Sequence, residues 1–434
     1  MSEKYKLGLT RNRLFEFDNC VVFAGKYDAS IESVRGEKAM KLLSLKEPLI
    51  TAKIELEGDG DAFVVVDEVE QKLSFRNEKH DAVLNKYKSK GLNFWEKVFE
   101  FSFSSDEYFI IAGHTCVADA KSLLRLAVYF SEIYNSNGFS VEPSDVFVIS
   151  EKSQLPLEVL SPVTDKLSVE LDSKWADKGI AFGVEDYLEA KSRYDSVKGE
   201  CAEIKQEIPA EAIGALQSYC KGNGVDVSSV VAFAFYEALC ENATLKESHC
   251  KMNVYGDSRF FFQDYEKYGI GAYNGVVNVY LRKKDKVKND DERLKAFHIN
   301  AYKGVTSTFK VFYDDVFLMS VSPSLCDSAY MYAAGCFKNK TSAKIAGNYG
   351  CKNEMLCDFF SCNLDQQFWS ELVHFSDVTI KEPFKMRSLY GLNFVLKNGK
   401  GYITFEYRKT VCDDKKAEEI FKNAVGFITG ISQK

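Results

Sequence analysis

The run Tyr108-Phe109-Ile110-Ile111-Ala112-Gly113, together with the residues directly after it, constrains the fold of this chain more than any other segment. An unbroken apolar run of this length, ended by Gly, reads as a buried strand. It passes through His114-Thr115-Cys116-Val117-Ala118-Asp119-Ala120-Lys121-Ser122 directly into a helix, in which Leu123, Leu126, Ala127, Phe130 and Tyr134 recur at helical spacing. The stripe ends near Asn135 to Gly138. A buried strand handing over at once to an amphipathic helix predicts an α/β fold with helices packed on a sheet. The polar residues at the hand-over are His114, Thr115 and Asp119.

With 434 residues the chain exceeds what one hydrophobic core fills, so two lobes are expected. Hydrophobic residues make up 46% and charged residues 27%, a balance that excludes a disordered chain. The start, Met1-Ser2-Glu3-Lys4-Tyr5-Lys6, leads into Arg11 and Arg13 without an apolar core, and no stretch approaches ~18 uninterrupted apolar residues. Neither export nor a membrane span is expected. The 12 cysteines are scattered, which fits reduced thiols in a cytoplasmic protein better than a disulfide framework. A net charge of −7 disfavours nucleic acid as a partner. The basic run Arg282, Lys283, Lys284, Lys286 and Lys288 holds Asp285 and precedes Asn289-Asp290-Asp291, so it reads as a solvated loop, with a phosphate-contacting edge as the alternative. No phosphate-cradling Gly-x-x-x-x-Gly-Lys loop occurs, and Gly269 to Gly275 does not open a helix as a dinucleotide site requires.

Residues 1–165 form the expected first lobe, with strands at Asn19 to Ala24, Leu49 to Leu56 and Ala62 to Val66 and a helix from Ser30 to Leu45. A charge-rich stretch with Pro156 and Pro162 comes next, and residues 166–206 are assigned to an inter-lobe connection. The second lobe, 207–434, opens at Ile208-Pro209-Ala210-Glu211, a helix start with Pro and carboxylate in its first turn. The helix Ser228 to Cys240 is apolar on most sides and belongs to the core. Strands are expected at Met252 to Tyr255, Gly275 to Leu281 and Tyr402 to Tyr407, with a closing helix from Lys415 to Ile428.

The segment His114-Thr115-Cys116-Val117-Ala118-Asp119-Ala120 resembles the His-His-x-x-x-Asp-Gly motif of the superfamily that holds chloramphenicol acetyltransferase, nonribosomal-peptide condensation domains and alcohol acetyltransferases. Other pieces agree in order and spacing from about Tyr108 to Phe427. Glu211 to Leu239 resembles the paired helices opening the family's second lobe, and Asn253-Val254-Tyr255-Gly256-Asp257-Ser258-Arg259 its strand ending in Arg. Gly269 to Val277 resembles the family's next glycine-containing turn and strand. Phe359-Phe360-Ser361-Cys362-Asn363-Leu364 resembles the Ser-Asn-x-Gly crossover, with Asp365 in the place of Gly.

The resemblance implies two chloramphenicol acetyltransferase-like lobes in a V-shaped pseudo-dimer, with a central tunnel and the His motif at its middle. It implies an acyl thioester donor, on coenzyme A or a phosphopantetheinyl carrier protein, entering one mouth. A small alcohol or amine acceptor enters the other. No cofactor is bound and no metal is implied. Ser361 and Asn363 become tunnel-lining candidates, and the expected form is a stand-alone monomer. Thr115 takes the position of the family's catalytic second His, and His114 that of the first. Asp119 pairs with an Arg of the second lobe, for which Arg259 is the candidate and Arg282 the competitor. Heterocyclisation relatives carry Asp-x-x-x-x-Asp-x-x-Ser; with His114 in place of the first Asp, only Asp119 and Ser122 match, so cyclisation is not carried over.

Acyl transfer from a thioester needs a group that takes a proton near neutral pH, which imidazole does and threonine cannot. His114 is the remaining candidate base. Neighbours on a strand point to opposite sides, so His114 reaches a tunnel beside Thr115 only through a bulge or register change, for which Gly113 is the candidate; otherwise it is a packed core histidine. A Cys116–His114 nucleophile pair lacks an orienting third group. Cys351, Cys357 and Cys362 with His374 lack a paired Cys-x-x-Cys knuckle, which favours core thiols over zinc. His80, His249 and His298 read as surface residues. Two functions remain open: an acyltransferase, or a homologue that binds ligand or a partner without turnover. A carrier protein, itself acidic, would dock near Arg282 to Lys288.

Overall fold

The structure, a computed structural model, describes residues 2–432 except 59, 68–69, 137–140, 156–159, 243–249, 263–268, 349–354, 368–371 and 373. In chain order the first part forms β1 (Glu3–Lys6), β2 (Cys20–Tyr27), α1 (Ser33–Lys46), β3 (Ala52–Glu57), β4 (Asp61–Val66), β5 (Leu73–Phe75), α2 (His80–Lys90), β6 (Phe99–Phe103), β7 (Tyr108–His114) and α3 (Ala120–Asn135). Two helices, α4 (Pro162–Ala176) and α5 (Val184–Lys198), occupy the charge-rich stretch. Next come β8 (Cys201–Ile208), α6 (Ala210–Asn223), α7 (Val227–Asn242), β9 (Met252–Asp257) and β10 (Asn274–Val279). A helical run comes after them: α8 (Lys283–Lys286), α9 (Asp290–Val305), α10 (Thr308–Met319), α11 (Pro323–Ala333) and α12 (Lys340–Asn348). The chain closes with β11 (Met355–Asn363), α13 (Leu364–Gln367), β12 (Phe375–Lys381), β13 (Ser388–Lys397), β14 (Lys400–Arg408) and α14 (Asp414–Ser432).

Two large sheets carry the lobes, in the orders β12-β2-β7-β6-β5 and β10-β9-β11-β13-β14-β8, with a small sheet β1-β4-β3 beside the first. Strand β7 is buried at every position because both its faces are covered. Phe109 stacks on Phe130 of α3 at 4.1 Å, while Ile110 and Ala112 pack with Val83, Leu84 and Tyr87 of α2 on the other side. That double coverage explains the unbroken apolar run. In the second lobe, Phe233 of α7 meets Phe297 of α9 and Phe427 of α14, and Phe235 meets Phe405 of β14. Helix α7 is enclosed on all three sides.

Sheet membership redraws the lobe boundaries. β8 pairs antiparallel with β14 from Cys201↔Arg408 to Ile208↔Gly401, so residues 201–206 belong to the second sheet and not to the connection. β12 leaves the second lobe and pairs antiparallel with β2 in the first sheet. Its Phe375 packs edge-on against Phe23 at 5.5 Å and Tyr27 at 5.2 Å, covering what would otherwise be an exposed apolar edge.

A 3-10 turn, Arg11–Phe15, is buried at all positions between the lobes. Arg11 pairs with Asp327 of α11, and Arg13 with Asp315 of α10 at 3.0 Å. Asn12 donates to the same Asp315 at 3.1 Å. A second charged cluster joins Lys88 of α2 to Glu406 of β14 at 3.0 Å and Lys381 of β12 to Glu203 of β8 at 2.8 Å. Among the described residues no helix is long and apolar enough to cross a membrane.

Candidate functional site at the lobe interface

The hand-over from β7 to α3 lies where the lobes meet. The β2–β7 register runs without a shift from Lys26↔Tyr108 to Cys20↔His114, so there is no bulge at Gly113. Gly113 is required by packing: a Cβ there would stand 2.9 Å from the Ala118 Cβ and 3.0 Å from Phe99. His114 accordingly keeps its strand direction and is fully enclosed. Its Nδ1 accepts the Cys116 N–H at 3.2 Å, and its ring meets Phe94 edge-on at 5.2 Å. Among the described residues Nε2 has no hydrogen-bond partner. Burial pushes its pKa down to about 3, so the imidazole is neutral. The structure places His114 in the core, not in the cavity, and the role of base suggested by the sequence does not follow from its position.

Thr115 is half-buried. It lines an inter-lobe cavity of about 30 Å³ together with Arg13, Glu16, Tyr255, Asn274 and Glu382, space for a water molecule or two. Arg13 fills the neighbouring space: it donates to the Thr115 carbonyl at 3.3 Å, to Asn274 Oδ1 at 3.1 Å and to the Asn274 carbonyl at 2.7 Å.

Asp119 caps α3, accepting the Ser122 N–H at 2.9 Å on Oδ1. The same oxygen accepts from Arg259 at 2.7 Å, and Oδ2 accepts the Tyr273 N–H at 2.9 Å. Arg259 also donates to Ser122 Oγ at 2.9 Å and lies over the Tyr273 ring at 4.6 Å. Burial opposes its charge, but Asp119 and Asp257 outweigh that and hold its pKa above the ordinary value. Arg259 is thus the inter-lobe partner of Asp119. Arg282, the competitor, instead precedes α8 and lines an outer cleft of about 260 Å³ with Val276, Asn278, Tyr280, Lys310 and Tyr313. Val276 borders both this cleft and the inter-lobe cavity.

Ser361 and Asn363 stand half-buried at the end of β11, and the cavity beside Thr115 is lined by other residues. The Cys116 thiol is buried and its pKa raised by burial, which makes it a poor nucleophile. Cys351 and His249 lie outside the described residues. Cys357 and Cys362 are core thiols of β11, raised by burial. His80 is hydrogen-bonded to Asp106 at 2.6 Å and stacked on Tyr108, and His298 bonds to Ser229 at 2.8 Å.

Sequence reasoning missed Glu382, which comes directly after β12. Its carboxyl is buried, and Oε1 accepts the Ala120 N–H at 2.7 Å and Asn274 Nδ2–H at 2.9 Å. Burial first, and the neighbouring Asp119 second, push its pKa up to about 8, against the pull of the Ala120 N–H and Arg13. A charged residue at a strand end before Pro383 carries no periodic signal, so nothing local marks it.

The two lobes, the crossing strand β12 and the Asp119–Arg259 joint define a protein of the chloramphenicol acetyltransferase-like condensation and acetyltransferase fold. Solved structures give that class its particulars. A trichothecene 15-O-acetyltransferase from Fusarium sporotrichioides matches 99% of this chain and 96% of its own, with a TM-score of 0.65 and 9% identity. The condensation domain of the monacolin K polyketide synthase matches 100% and 98%, with a TM-score of 0.63 and 10% identity. An epimerization domain of tyrocidine synthetase B matches 99% and 97%, with a TM-score of 0.62 and 10% identity. No protein-family model matches the sequence, and neither does any curated protein.

Proposed function

We propose that this protein transfers an acyl group from a thioester, on coenzyme A or a phosphopantetheinyl carrier, to a small alcohol or amine, without using His114 as the base. The observation that carries the reading is the joint of Asp119, Arg259 and Ser122, which holds Thr115 at an inter-lobe cavity that also contains an ionisable carboxyl. Arg282 and Lys310, both in the outer cleft that shares the lining residue Val276 with this cavity, support a phosphate-bearing donor arm. A carrier protein would add contacts at the exposed Lys283 and Lys284.

The test is thiol release from a panel of acyl-coenzyme A and acyl-carrier donors, with and without alcohols and amines. Acceptor-dependent release is expected. Donors left unconsumed beside every acceptor would overturn the reading. One observation favours a second reading, ligand binding without turnover: Arg13 occupies the space beside Thr115 and leaves about 30 Å³. That reading predicts saturable donor binding with no thiol released, and activity that first appears in Thr115→His.

A further inference from the structure

We propose that Glu382 is the proton acceptor of the transfer reaction, standing in the cavity where the imidazole is missing at Thr115. The inference rests on the acyl-transfer reading above.

Three features of the geometry point to it. The first is pairing. Two nearby cations are committed elsewhere, Arg13 to Asp315 and Arg259 to Asp119, and among the described residues neither these nor Lys385, which lines the same cavity, forms a salt bridge with Glu382. A buried carboxyl without a cation is costly to keep and calls for a reason. The second is orientation. Among the described residues both hydrogen bonds to the carboxyl fall on Oε1, from the first turn of α3 and from Asn274, so the group is held while Oε2 remains available to exchange a proton. The third is place. Glu382 and Thr115 line one cavity, and Glu382 also lines an adjoining one of about 50 Å³. Glu382 thus borders both cavities.

The charged and titratable groups that share these cavities are Arg13, Glu16 and Asp18 from the N-terminal segment, Tyr255 from β9, and Lys385. Asp119 approaches from the head of α3. On the far side lie Lys88, Lys381 and Glu406, which pair among themselves and with Glu203, together with Cys20, Tyr87 and Cys201, whose pKa values burial raises. A pKa of about 8 suits a base working near neutral pH.

In the reaction, Glu382 Oε2 takes the proton of the acceptor O–H or N–H as that heteroatom bonds to the thioester carbonyl carbon. The tetrahedral adduct then breaks its C–S bond, and the proton passes from Glu382 to the departing sulfur. An ester or amide and a free thiol result, and the carboxylate is restored.

Glu382→Gln keeps an oxygen for the Ala120 N–H and Asn274 but cannot take the proton. Its kcat should fall at least ~100-fold, with donor KM unchanged and a melting temperature no lower than that of the wild type. Independently of any variant, the wild-type rate should rise about tenfold per pH unit and level off near pH 8. A Gln variant within about threefold of wild type, or a wild-type rate flat from about pH 6 to about pH 9, overturns the role of Glu382 and leaves acyl transfer standing. Absence of thiol release by the wild type with every donor and acceptor overturns both.

Discussion

His114 and Glu382 show what burial does to two ionisable groups around one loop. Each is driven towards its uncharged form, the imidazole with a pKa down to about 3 and the carboxyl up to about 8. The consequences for stability have opposite signs. For His114 the unfolded chain binds more protons between pH 6.5 and about 3, so stability present above 6.5 is lost as the pH falls through that window. His114→Asn should reduce the slope of unfolding free energy against pH there by up to about 1.4 kcal/mol per unit, read from urea unfolding at stepped pH. For Glu382 the folded state binds more protons between pH 4.5 and about 8, so its contribution is lost as the pH rises through about 8. Asp119 and Arg259 were expected as a pair because the family resemblance implies an Arg of the second lobe for the motif Asp. Glu382 was not, since its contact with Ala120 spans 262 residues and no spacing rule reaches that far.

At the scale of elements, β7 and α3 were the most legible because both faces of the strand and one stripe of the helix are apolar in sequence. Their junction depends on Gly113, where a Cβ would meet Ala118, Phe99 and Leu123 at 2.9 to 3.1 Å. Gly113→Ala should destabilise the protein by about 1–3 kcal/mol through overpacking, read as a lower urea midpoint with an unchanged slope. β8 escaped detection for the opposite reason. As the edge strand of its sheet it carries exposed or half-exposed Glu203, Lys205, Gln206 and Glu207, so its alternation is faint and its charge reads as a linker. The stretch 49–56 begins as a 3-10 turn, Pro48–Thr51, and turns extended only at Ala52. The apolar count is the same in either conformation, and the proline at the start decides for the turn.

At the scale of the molecule, the lobes are fastened by buried charge and by exchange of a strand. Asp327 is fully enclosed against Arg11, and Asp315 against Arg13 and Asn12. Replacing one partner strands the other charge in the interior, so Asp327→Ala should cost about 3–5 kcal/mol. Because the pair is buried, the loss should persist at high salt, and differential scanning calorimetry at two ionic strengths checks it. The family resemblance put Thr115 at the position of a second histidine; the sequence by itself determined an α/β chain in which a buried strand runs directly into an amphipathic helix. These follow from periodicity and side-chain type, which act over a few residues. The tertiary structure alone decided that Thr115 lines the inter-lobe cavity while His114 is sealed in the core. It also decided that β12 returns to complete the first sheet, and that this return carries Glu382 to the head of α3. Those outcomes depend on how two finished lobes pack, and packing brings together residues whose separation along the chain carries no local signal.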